Sequence, residues 1–312
     1  MIVDAPPART PMGGHLLDVE GLAAAALDRL GDLAVEMREA RATRRHRSRL
    51  EAETVALAFF EPSTRTRVSF ELAAKALGAT TVDLAVEASS VRKGESLVDT
   101  VRTLERTGVT TLVIRHAAAG AAHLAARTTG MRVVNAGDGA HAHPTQALID
   151  LLTLREALGS VAGRTIAIVG DVEHSRVARS NLHALTSMGA RVRVAGPAAW
   201  VAGFEAWPGV EVATTLQAAL RGADAVMTLR VQLERDATSG PALTDYVRDW
   251  RLDDERLTLA APGAPILHPG PTNEGCEITA ELANGPRSLI GRQVENGVPV
   301  RMAVLAALAG AA

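Results

Sequence analysis

Short runs of β-branched and small apolar residues alternate with stretches in which apolar positions return every three or four residues, and this alternation persists from about residue 54 onward. Such a pattern predicts parallel strands joined by crossover helices. In the first half, strands are predicted at "TVALAFF", "TTVDLAV", "TTLVIRH" and "MRVVNAG", with helices at Thr66 to Leu77, Ser96 to Thr107 and Ala118 to Arg127. The segment "HPTQALIDLLTLREAL" places Leu148, Leu151, Leu152 and Leu158 at helical spacing and stops at Gly159. A second series follows: strand "RTIAIVGD", a helix from Arg176 to Met188, strand "RVRVAG", a helix from Leu216 to Leu220, and strands "DAVMTLR" and "PILHPGP". A last helix is expected from Pro299 to Ala309. The fold class is therefore α/β: two domains in tandem, each a mainly parallel sheet flanked by helices, with the boundary inside or just before the helix that starts at His143.

Composition narrows the partners. A length of 312 residues suits two domains, and a net charge of -2 with pI near 6.5 gives no footprint for nucleic acid or an anionic membrane. A small-molecule ligand is expected. The single cysteine, Cys276, excludes an intrachain disulfide and a multi-cysteine metal site, and the histidines lack H-E-x-x-H spacing, so no metal is expected. The first residues lack the basic and apolar regions of a signal peptide, and no apolar run reaches the ~18 residues of a membrane span. A cytoplasmic protein is expected. Of 33 basic residues only Lys75 and Lys93 are lysine. That bias marks the two lysines as positions where a compact ammonium serves better than a guanidinium.

The candidate chemistry begins at "FFEPSTRTR". Ligands of parallel sheets gather beyond the carboxyl ends of strands, where helix N-termini point. Ser63 or Thr64 suits an N-cap, and the amides of the first helical turn have no partner inside the helix. With the planar donor fork of Arg65 and the hydroxyls of Thr64 and Thr66, these amides make a phosphate cradle. An isolated S-T-R would read as a capped helix with surface arginines; here the alternation of hydroxyl and guanidinium runs for five residues after a buried-looking strand. "IAIVGDVEHSR" lacks G-x-G-x-x-G, and neither lysine sits in a P-loop, so no nicotinamide cofactor or ATP is indicated.

Seven segments, "FFEPSTRTRVSFE", "SSVRKGESLVDT", "VIRH", "GDGAHAHPTQALIDLLT", "VGDVEHSRVARSN", "LRVQLER" and "HPGPTNEGCEI", resemble in order the motifs of aspartate carbamoyltransferase catalytic chains. The match runs from about residue 14 to the C-terminus, and the chain is identified as a member of the aspartate/ornithine carbamoyltransferase superfamily. The resemblance implies transfer of the carbamoyl group of carbamoyl phosphate to the α-amine of L-aspartate, giving N-carbamoyl-L-aspartate and phosphate, as in de novo pyrimidine biosynthesis, with no cofactor. It further implies a carbamoyl-phosphate-binding domain over 1–142, an aspartate-binding domain over 143–291, a C-terminal helix over 292–312 packing back on the first domain, and an active site between the domains.

Carried over residue by residue, the resemblance assigns the phosphate to Ser63, Thr64, Arg65 and Thr66. Arg115, His143 and Gln146 complete the carbamoyl phosphate site, with Thr66, Arg115 and His143 donating to the carbonyl oxygen as it gains charge. Ser89 and Lys93 would reach into a neighbouring subunit's site, which makes the catalytic unit a homotrimer with shared active sites; a higher assembly with dihydroorotase or regulatory chains stays open. Arg176 and Arg230, with Gln232 beside them, would pair the carboxylates of L-aspartate. The "HPGP" loop, His268 to Pro271, would offer backbone carbonyls at Gly270 and Pro271 to the amine and the carbamoyl nitrogen. Read alone, His143 is equally a structural helix-start histidine and Lys93 a solvated turn.

Three rivals are weighed. Ornithine carbamoyltransferases typically carry H-C-L-P where this chain has His268-Pro269-Gly270-Pro271, which favours aspartate. A paralogue acting on a different amine is the alternative, since H-P-G-P usually continues N-R-G and here reads Asn273-Glu274-Gly275. A non-catalytic homologue would be expected to have lost Arg65, Lys93, Arg115 or His143, and all are present.

Overall fold

The computed structural model describes residues 14–43, 49–84, 95–231, 242–273 and 275–311. The chain divides into two compact units: residues 1–18, 28–138 and 298–312 form one, and residues 19–27 and 139–297 the other. The division falls between Asp138 and Gly139, four residues ahead of the expected start at His143.

The first unit is built on four parallel strands, β1 (Thr54–Phe59), β2 (Thr80–Leu84), β3 (Thr111–His116) and β4 (Arg132–Asp138), in the order β2-β1-β3-β4. Val55 lies opposite Thr81 on one side and Thr111 on the other. Helix α1 (Ala24–Ala42) precedes this sheet; α2 (Thr64–Ala76), α3 (Leu97–Arg106) and α4 (Ala121–Thr128) connect its strands. Val55, Ala56, Leu57 and Ala58 are all buried, because a central parallel strand is covered on both faces and needs an apolar residue at every position. Each large side chain buried this way contributes about 1.5–3 kcal/mol. Ala56, Ala58, Val101, Leu112, Ile114 and Val133 share one core cluster, joining the sheet to α3.

The second unit carries five parallel strands, β5 (Thr165–Val169), β6 (Arg191–Ala195), β7 (Val210–Ala213), β8 (Ala225–Thr228) and β9 (Ile266–Leu267), in the order β7-β6-β5-β8-β9. Its helices are α5 (Pro144–Leu158), α6 (Arg176–Ser187), α7 (Ala198–Val201), α8 (Leu216–Leu220), α9 (Leu243–Trp250), α10 (Asp254–Leu257) and α11 (Ala280–Ala283). Ala167, Val169, Leu216, Leu220, Val226, Leu252 and Ile266 belong to one buried cluster against the sheet. Gly170, immediately after β5, has φ +125, and a Cβ there would stand 3.1 Å from both the Leu229 carbonyl and the Tyr246 hydroxyl. Only glycine allows β5 to end so close to the segment leaving β8.

Helix α12 runs Ile290–Ala309, where the hydrophobic pattern predicts a start at Pro299 and the resemblance implies one at 292, and it contains Pro299 in its interior. The Ser288 hydroxyl accepts from the Ile290 amide and the Leu289 carbonyl from Gln293, so the helix is established two turns before the proline. An interior proline costs about 3 kcal/mol in an isolated helix; here Val298 and Val300 on either side are buried, and packing overrides it. Farther along, the Arg301 guanidinium stands 5.0 Å from the Phe70 ring centroid.

Candidate active site

In each sheet the strand order reverses once, between β1 and β3 in the first unit and between β5 and β8 in the second. Crevices at such reversals, beyond the carboxyl ends of strands, are where open α/β sheets hold ligands. The candidate residues fall at both.

In the first unit β1 ends at Phe59, and Ser63 takes the N-cap position of α2 with no side-chain cap bond. The hydroxyl that usually closes a helix start makes no such bond here. Thr64 and Arg65 are exposed, Ser63 is half-buried, and Thr66 is buried. Among the described residues no hydrogen bond or ion pair holds the Arg65 side chain, whereas Arg67 donates to Asp83 at 2.7 Å. The two arginines of the motif are therefore different in kind: one braces α2 to β2 and the other is open to a ligand. Arg115, at the end of β3, donates to the Ala136 carbonyl at 3.3 Å and lies 3.6 Å from Glu61, an ion pair that orients the guanidinium from the β1 side. Asp138, closing β4, accepts from the Gly120 amide at 2.7 Å and the Asn135 side chain at 2.8 Å.

In the second unit His143 is the N-cap of α5, and Pro144 takes the first helical position, where its missing N–H costs nothing. The His143 amide donates to the Ser180 hydroxyl at 2.9 Å, fixing the start of α5 against α6. Gln146, half-buried one turn on, donates to Asp150 at 2.8 Å. Arg176 opens α6, whose N-cap Ser175 accepts from the Ala178 amide. Arg230 lies two residues past β8, so both arginines stand at the β5–β8 reversal.

After β9 the chain turns sharply at His268–Pro271, with a cis Gly270–Pro271 bond. The buried His268 ring holds this turn: Nδ1 accepts from the Gly270 amide at 2.8 Å, which leaves Nε2 as the donor to Glu277 at 3.1 Å. The same Glu277 oxygen accepts from the Asn273 amide, and the Asn273 side chain donates to the Val231 carbonyl. One buried carboxylate thus ties the turn to the segment that carries Arg230. Burial, with Glu277 beside it, pushes the Cys276 thiol up to about 12, and burial also raises the Tyr246 hydroxyl.

Ser89, Lys93 and Gln232 lie outside the described residues, as does Glu274. Sequence reasoning overlooked Glu61, Asp150, Gln293 and Glu277. Asp150 had a signal, a carboxylate four residues after Gln146 inside the apolar run "ALIDLLTL". Gln293 had none: the hydrophobic pattern predicts the helix from Pro299 onward, and the C-terminal helix over 292–312 that the resemblance implies assigns no role to that glutamine.

Residues 14–156 match the model of the aspartate/ornithine carbamoyltransferase carbamoyl-P binding domain, and residues 162–308 that of the Asp/Orn binding domain. An aspartate carbamoyltransferase catalytic subunit from Methylorubrum extorquens is 51% identical over 300 residues, covering 95% of this chain and 94% of that one. Among solved structures, aspartate transcarbamoylase from Trypanosoma cruzi in complex with carbamoyl phosphate has a TM-score of 0.86 at 33% identity, covering 97% of this chain and 98% of that one. Ornithine carbamoyltransferase from Thermus thermophilus has a TM-score of 0.84 at 32% identity, covering 95% and 98%. With both domain models matched in order and half the residues shared with a relative along nearly the whole length, this chain belongs to the aspartate/ornithine carbamoyltransferase family.

Proposed function

We propose that the chain is an aspartate carbamoyltransferase, moving the carbamoyl group of carbamoyl phosphate to the α-amine of L-aspartate in pyrimidine biosynthesis. The observation that carries this reading is the placement of an open guanidinium and an uncapped helix start at the strand reversal of the first unit, and of two arginines at that of the second. The first set matches a phosphate dianion and the second a dicarboxylate. The Methylorubrum relative bears the aspartate carbamoyltransferase name, and the Trypanosoma structure holds carbamoyl phosphate; both support the assignment. In place of H-C-L-P the chain has His268-Pro269-Gly270-Pro271, which weighs against ornithine.

In the reaction, Ser63, Thr64, Arg65 and Thr66 hold the phosphate, and Thr66, Arg115 and His143 donate to the carbonyl oxygen as the amine attacks. A C–N bond forms, the bond from carbon to the phosphate oxygen breaks, and the proton lost by the amine goes to the departing phosphate. Gln146 and the carbonyls of the His268–Pro271 turn orient the carbamoyl nitrogen, while Arg176, Arg230 and Gln232 hold the aspartate carboxylates.

The working form is a homotrimer in which Ser89 and Lys93 serve a neighbouring copy's site. Val68 and Leu72 on α2 and Val82 on the edge strand β2 are exposed large apolar side chains, a surface that association would cover. A cytoplasmic location fits, and no described helix is long and apolar enough to cross a membrane. The test is a steady-state assay with carbamoyl phosphate and a panel of amines. N-carbamoyl-L-aspartate formed in preference to the L-ornithine product is the expected result; a different preferred amine would select the paralogue reading that Glu274 raises.

A further inference from the structure

Asp150 is completely buried on α5, yet three side-chain amides converge on it. Gln146 and Gln293 donate to one oxygen at 2.8 and 2.7 Å, and Asn181 to the other at 2.8 Å. An ionised carboxylate only accepts, so each amide must turn its nitrogen inward and its oxygen away. For Gln293, itself 4% exposed, the outward oxygen receives the His268 backbone amide at 3.0 Å. For Gln146, the outward oxygen is left as an acceptor at the start of α5. A single buried charge therefore decides which end of Gln146 is presented, and through Gln293 it anchors the residue from which the His268–Pro271 turn departs. Glu277 completes the hold on His268 from the other side. A network of this kind is costly to bury; among the described residues Asn181 Oδ1 and Glu277 Oε2 find no hydrogen-bond partner, while the bonds from Gln146 and Gln293 to Asp150 and from His268 to Gln293 are all made.

We propose that Asp150 and Gln293 are positioning residues that set the Gln146 carboxamide and the His268–Pro271 turn as one unit. Their kinetic role rests on the carbamoyl-transfer reading above; the geometric role does not. Three variants of the full chain separate the two. Gln293→Met keeps the packing and removes both bonds, so kcat is expected to fall roughly ten- to a hundredfold, the scale of misplaced reacting groups, with carbamoyl phosphate half-saturation close to the parent's. Asp150→Asn puts an amide nitrogen among donors and should lower both kcat and the melting midpoint. Adding Gln293→Glu to Asp150→Asn restores donor–acceptor pairing, but only with the Gln146 amide reversed. The double variant should melt near the parent and remain slow.

A double variant that regains kcat together with stability, or a Gln293→Met protein with parental kcat, would overturn the relay. Should the double variant not fold, a crystal structure of Gln293→Met decides: a displaced His268–Pro271 turn with Ser63–Thr66 unmoved supports the relay, and an unmoved turn refutes it. That readout holds even if the parent proves inactive toward L-aspartate, an outcome that would count against the reaction alone.

Discussion

Cys276 is buried beside Glu277, and its thiol, pushed up to about 12, stays protonated at neutral pH. Since the thiolate is the reactive form, iodoacetamide at pH 8 should leave the folded protein unlabelled and label it after denaturation. Rapid labelling of the native chain would contradict the environment described. The same shift links stability to pH. The folded thiol binds its proton more tightly than the unfolded one, so this stabilisation is fully present below the ordinary thiol value of about 8.5 and is lost as pH rises toward 12. Tyr246, also raised, acts with the same sign. Denaturation midpoints measured across that alkaline window should fall, and fall less steeply in Cys276→Ala.

At the level of elements, the sites depend on where helices start. Ser175 is buried, and its hydroxyl accepts from the Ala178 amide at the head of α6, directly before Arg176. Ser175→Ala should lower stability by about 1 kcal/mol and raise KM for L-aspartate, with carbamoyl phosphate affinity unchanged because the proposed phosphate donors sit on α2. A matching loss for both substrates would show that the cap supports the fold and not the arginine. The same helix starts explain what could be read from sequence. Strands β1, β3, β5 and β8 stood out because central parallel strands are largely apolar, β2, β4 and β6 were legible from β-branched runs although polar residues interrupt them, and α8 has the expected bounds Leu216–Leu220. Helix α1 went unread although Leu30, Ala34 and Met37 keep helical spacing and are buried, since alanines and charges around them blur the stripe. Edge strand β7 is too short to show a period, whereas the two-residue β9 lies inside the expected strand "PILHPGP". At the candidate site, the side chains proposed to face ligand were legible as motifs. The carboxylates behind them were harder to read: Glu61 and Glu277 gain their roles from partners brought together only by folding, and Asp150 showed only its i, i+4 spacing from Gln146.

For the whole molecule, the proposed sharing of sites between copies makes a complementation test available. Lys93→Ala and Arg65→Ala chains, each inactive alone, should regain part of the activity when mixed, because hybrid trimers contain sites assembled from two intact halves; mixtures that exchange subunits and stay inactive would remove the shared-site reading. The proposed carbamoyl transfer requires that the helix beginning after Phe60 grip the phosphate. Titration calorimetry of carbamoyl phosphate into the parent chain and into Arg65→Ala measures this directly. Saturable binding that weakens roughly ten- to a hundredfold in the variant, the 1.5–3 kcal/mol of hydrogen bonds to a charged group, is the expected result. Equal affinity in the two proteins, or no binding to the parent, would contradict it.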